Sequence, residues 1–153
     1  GLKEERAVFT GLLLKESLKD ESVLGLLRVT KTEVWDVENA VAWQPRRWTA
    51  ISFEGESDQA DEVAQALSRA MKPAWYADFS TEMHVYVVFE ARVFKYVNGD
   101  ARARAAAQAY TVSIGVPENQ VDWGERDVQR QSGDGYRCGR AWYGAQHRAD
   151  AGA

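Results

Sequence analysis

The sequence predicts an α+β domain: a mostly antiparallel, twisted sheet of about five or six strands, two helices on one face, and a disordered C-terminal tail. Three observations lead there. Short runs rich in Val, Thr and aromatic residues, bounded by turn residues, recur up to Val97. Only two stretches read as helices, one by its spacing and one by its Ala-rich composition, after the third and the sixth of those runs, so strands and helices do not alternate as in a parallel fold. Beyond Trp123 the only aliphatic residue larger than Ala is Val128, and such a segment buries too little apolar area to offset its ordering cost. Residues 1–123 are therefore expected as one domain and 124–153 as the tail.

The elements follow in order. Ala7 to Leu14 (AVFTGLLL) and Leu26 to Val37 (LLRVTKTEVWDV) read as strands. Between them Asp20 caps a single helical turn over Glu21 to Leu24 that Gly25 ends. ENAVAWQPRR carries Pro45 and reads as a loop, and Trp48 to Glu54 alternates as a strand. Ser57 or Asp58 offers an N-cap, Asp61 and Glu62 suit the first turn, and Val63, Ala64, Leu67, Ala70 and Met71 keep helical spacing until Pro73. Trp75 to Phe79, His84 to Glu90 and Arg92 to Val97 are joined by short turns and form a meander. Asp100 caps an Ala-rich helix that closes at Gly115, with Pro117 just beyond. The predicted core sets Val63, Leu67, Ala109 and Val112 against Ile51, Val85, Val87 and Phe94.

Composition narrows the function. The chain has 153 residues, 45% hydrophobic and 27% charged, with 3 Pro, as expected of one compact domain. A single Cys forbids an internal disulfide and fits a reducing cytoplasm. No apolar run approaches the roughly 18 residues of a membrane span. The GLKEERAV start carries no apolar core of signal-peptide length, so a cytoplasmic location is expected. Residues 1–123 hold 14 Lys plus Arg against 19 Asp plus Glu, a balance that repels phosphate backbones, so no nucleic-acid partner is expected.

The segments LLLKESLKDESVLGLLRVTKTEVWDVENA, VVFEARVFKY and KYVNGDARARAAAQAYTVSIGVPENQVDW resemble a group of small bacterial hypothetical proteins. The shared features are an apolar strand, a short turn, a strand carrying VFK, and a helix ending in a Gly-Val-Pro-Glu-x-Gln-x-Asp-aromatic sequence, here Gly115, Val116, Pro117, Glu118, Gln120, Asp122 and Trp123. The likeness spans roughly residues 9–123 and implies a fold. It carries no activity, cofactor or catalytic residue.

Candidate chemistry is sparse. With His84 and His147 as the only imidazoles and neither HExxH nor paired Cys, no metal is expected. The NGD turn at 98–100 offers one Gly and an acid where a phosphate would sit, and GxGxxG and GxxxxGK[ST] are missing, so no nucleotide cofactor is expected. In GVPENQVDW, Gly115 suits a left-handed cap and Val121 and Trp123 suit a plug for the sheet or helix. If the hairpin brings His84 near Asp78, with Tyr76, Tyr86 and Lys95 at hand, the set forms an acid–base site or ligand groove on the open sheet face. The stronger expectation is a non-catalytic protein-interaction module, binding a partner or itself. Six Trp exceed what such a core requires, and WQPRRW places Arg46 and Arg47 between Trp43 and Trp48, the residue types that dominate binding hot spots.

Overall fold

The structure is a computed structural model that describes residues 7–37, 40–121 and 123. The expected tail at 124–153 lies outside the described residues.

Six strands form one sheet: β1 (Val8–Leu14), β2 (Arg28–Asp36), β3 (Arg47–Glu56), β4 (Ala77–Ser80), β5 (His84–Phe89) and β6 (Arg92–Val97), in the order β2-β3-β1-β4-β5-β6. Every neighbouring pair is antiparallel, so the α+β class and the β4-β5-β6 meander stand. Ala91, at φ 61°, makes the tight turn between β5 and β6. β1 lies in the middle, where its run of apolar residues is buried from both sides. Because β3 and β4 both run antiparallel to β1, they are parallel to each other, and α1 (Ala60–Ala70) forms the crossover of a split βαβ unit. α2 (Ala101–Ser113) follows β6.

Residues directly opposite in an antiparallel pair share a face, which sorts the sheet into two rows. Phe53, Gly11, Phe79, Tyr86 and Lys95 form a row on one face; Ser52, Leu12, Asp78, Val87 and Phe94 form a row on the other. α1 covers the first, since Asp61 bonds both Tyr86 and Lys95. α2 covers the second: the Tyr110 ring lies 4.9 Å from Phe89 and 5.3 Å from Phe94, and the Arg92 guanidinium sits over both Phe94 and Tyr110. The helices thus pack on opposite faces, not on one. The physical reason is visible in β5: HVYVVF is buried along five consecutive positions, and a strand apolar on both faces needs cover on both.

Three further expectations change. Ala109 and Val112 turn outward, and Ala107, Tyr110 and Thr111 meet the sheet instead. An Ala-rich helix has little periodic contrast to mark its inner face. Neither Ser57 nor Asp58 caps α1; a 3-10 turn over Ser57–Gln59 leads into it with no side-chain cap. Gly25 does not end its turn either, since the 3-10 helix over Glu21–Leu26 runs through it. The remaining caps form as read. Asp20 accepts from the Ser22 N–H, Asp100 accepts from the Ala103 N–H, and Gly115 takes the left-handed conformation at φ 105°. Trp123 is the plug: its ring is fully buried edge-on to Tyr76, and its Nε1–H donates to the Tyr96 hydroxyl at 2.8 Å.

Candidate functional site

The residues singled out in the sequence fall into three places. On the α1 face, Tyr86 and Lys95 stand opposite each other on β5 and β6. The N-terminal turn of α1 brings Asp61 above them. The Tyr86 hydroxyl donates to Asp61 Oδ1 at 2.7 Å, and Lys95 Nζ donates to the same oxygen at 3.0 Å. His84, two residues before Tyr86 and on the same face, adds a further electrostatic pull on the carboxylate. The Tyr86 bond, then the Lys95 bond, hold the Asp61 carboxyl below its usual range. Burial, then the bond to Asp61, raises the Tyr86 phenol, and the bonds to Asp61 and Tyr86 raise the Lys95 ammonium. All three shifts lock the same state: an ionised carboxylate, a neutral phenol and a cationic amine. Such a cluster latches α1 onto the β5–β6 hairpin. Asp61 escaped the sequence reading because an acid in a first helical turn is already explained by the helix dipole.

Asp78 and His84 do not form an acid–base pair. Asp78 opposes Val87 and is buried on the α2 face, whereas His84 opposes Val97 on the α1 face. Two residues on adjacent strands meet only when the pleat turns them to one side. Tyr76 also leaves the expected groove. It is buried against Phe89 and Trp123, and its hydroxyl donates to the Gln120 carbonyl at 2.7 Å. The proposed set of five therefore divides, with His84, Tyr86 and Lys95 on one face and Tyr76 and Asp78 on the other side of the sheet.

The WQPRRW loop also divides. Trp48 is fully buried, its Nε1–H donating to the Pro45 carbonyl at 2.7 Å, so it is a core residue and no part of a contact surface. Trp43 is 49% exposed and leans edge-on against Trp75, ring centres 5.6 Å apart. Gln44 is buried and exchanges two hydrogen bonds with Gln120, which anchors the loop from beneath. Arg46 and Arg47 remain exposed, and Arg47 Nε reaches Asp36 at 3.2 Å across the β2–β3 ladder.

The loop connects to a strand whose exposed edge sequence reasoning missed. β2 is an edge strand of nine residues, seven of them exposed, including Val29 at 44% and Val34 at 60%. A register shift between Val29 and Lys31 interrupts its ladder with β3. The signal was present in RVTKTEV, which puts charged or hydroxyl residues on both faces, the pattern of a strand with little to cover it.

Among the described residues, no group of three or more His, Cys, Asp and Glu side chains converges as a metal site, and no helix is long and apolar enough to cross a membrane. No protein family, curated protein or solved structure matches this chain.

Proposed function

We propose that this domain is a protein-interaction module of the bacterial cytoplasm that binds a polypeptide partner along the β2 edge and the adjoining loop. The observation that carries the reading is the exposure of β2: seven of nine residues open to solvent along a sheet edge, whose outer N–H and C=O groups are a template for another strand. Trp43, Arg46 and Arg47 at the end of that strand supply an aromatic ring and two guanidiniums, which favour binding when desolvated. The α1-face cluster supports the same reading from the other side. Its phenol, carboxylate and amine satisfy one another, as a structural latch does, and its shifts keep each group in its ordinary charge state.

A photo-reactive phenylalanine analogue placed singly at Thr32, at Trp43 or at exposed Ala105 of α2 tests it in the host cytoplasm. Irradiation should yield protein adducts from Thr32 and Trp43 and none from Ala105. Adducts from no position, or equally from all three, overturn the assignment.

A further inference from the structure

The charges along β2 are antisymmetric about its centre. In RVTKTEVWD, Arg28 and Lys31 precede Thr32, and Glu33 and Asp36 follow it, at matching distances. We propose that the occupant of the β2 edge is β2 of a second copy of this chain, paired antiparallel about a two-fold axis through Thr32. This rests on the edge reading above and names its partner.

The backbone permits it. The Val37 N–H donates to the Arg46 carbonyl at 2.7 Å, so Val37 and, by alternation along the ladder, Trp35 and Glu33 turn their backbone groups toward β3. Thr32 and Val34 turn theirs outward. At the dyad Thr32 exchanges N–H···O=C bonds with Thr32 of the second copy. One step away, Lys31 stands opposite Glu33 of that copy, and Glu33 opposite its Lys31. Lys31 and Glu33 already meet within one chain at 3.1 Å; the lysine side chain is exposed, and the half-buried Glu33 carboxylate also accepts from Trp35 Nε1 at 3.2 Å. Pairing turns two such couples into a ring of alternating charge. The exposed Val34 side chain gains a neighbour on the opposite strand.

The two neighbouring registers and the parallel arrangement are worse for a stated reason. A dyad at Lys31 sets lysine against lysine, a dyad at Glu33 sets glutamate against glutamate, and parallel in-register pairing does both; like charges directly opposite destabilise a strand pair. The register shift at Val29–Lys31 confines pairing to the stretch around Thr32 and guards the rest of the edge from indiscriminate strand addition. A contact this short is weak and salt-sensitive.

Sedimentation equilibrium of the full chain at submillimolar concentration reads the assembly. The wild type should reach a monomer–dimer equilibrium that weakens with salt. Lys31→Glu and Glu33→Lys should each weaken self-association about tenfold or more, because the two-fold axis counts each like-charge contact twice. The double variant K31E/E33K should restore it, and mixing the two single variants should give a heterodimer. Thr32→Pro removes an outward N–H, so it should abolish the dimer while leaving the thermal melt near that of wild type. A monomeric wild type, or a double variant no better than the singles, overturns the proposal. The photo-adduct at Thr32 separates this proposal from the reading beneath it. An adduct of twice the chain mass joined through residues 28–36 supports the second copy. An adduct with a different chain overturns the second copy and leaves the edge reading standing, and no adduct at all overturns that reading.

Discussion

Gly11 is the position where a single methyl group should do the most damage. It sits in the middle of β1, and a Cβ there would lie 2.3 Å from Phe79 Cβ, 2.4 Å from the Asp78 carbonyl oxygen and 2.8 Å from the tip of the Phe53 ring. Two of those three atoms are rigidly tied to the β4 backbone, so relief requires β1 and β4 to separate by about 1 Å at the centre of the sheet. Overpacking of this kind costs about 1–3 kcal/mol. A clash against backbone belongs at the upper end, and the strand-propensity gain of Ala over Gly offsets about 0.5–1 kcal/mol. Gly11→Ala should therefore lose about 2–2.5 kcal/mol, a fall of roughly 8–10 °C in Tm for a domain of this size. Gly55→Ala should cost less, because its Cβ meets the outer edge of the Phe9 ring, and Gly25→Ala, which meets nothing within 4 Å, should be neutral or slightly stabilising. Urea unfolding followed by tryptophan fluorescence, with calorimetric melts beside it, gives the ranking. A Gly11→Ala variant within about 1 kcal/mol of wild type, or no softer than Gly25→Ala, would refute the close-approach argument.

Trp123→Ala should cost about 3–5 kcal/mol by emptying a fully buried site, and Trp123→Phe about 1–2 kcal/mol by removing the donor to Tyr96; a Trp123→Phe variant as stable as wild type in denaturant titration would mean that the indole hydrogen bond contributes nothing. The two tryptophans of the loop should separate in the same assay, with Trp48→Ala losing about 3–5 kcal/mol and Trp43→Ala about 1 kcal/mol; similar losses would contradict their different burial. The Asp61 carboxyl, followed by NMR, should titrate below its usual value of 3.8 and move up in Tyr86→Phe and, by less, in Lys95→Met. Because its folded pKa is depressed, its contribution to stability is present above the unfolded pKa and lost as pH falls through the folded one. An unchanged midpoint in Tyr86→Phe would remove the latch. Lys95 is raised, so its contribution is present below its usual value of 10.5 and lost as pH climbs through the folded pKa, and Lys95→Met should flatten that alkaline limb.

The candidate surfaces were only partly legible. Tyr86, Lys95 and His84 could be placed near one another because hairpin alternation is local, but Asp61 arrives from 25 residues away from Tyr86, through a crossover whose landing point no local pattern encodes. Asp78 and His84 looked adjacent because they flank one turn, and their opposite facing depends on a register that a single-residue slip reverses. Trp43 and Trp48 looked equivalent in WQPRRW. One is half-exposed and the other lies in the core, because only Trp48 falls within the β3 ladder.

What the sequence determined by itself is what short-range chemistry controls. Strand and helix identities, the Asp20 and Asp100 caps, the Gly115 terminator and the β4-β5-β6 meander all follow from groups a few residues apart. The tertiary structure alone decided that β1 lies between β3 and β4, that the helices take opposite faces, that Gly11 must stay bare, and that β2 is left at an edge with seven of its nine residues exposed. Those outcomes depend on long-range pairing, where many chain arrangements bury similar apolar area and only the packing of both faces at once chooses between them.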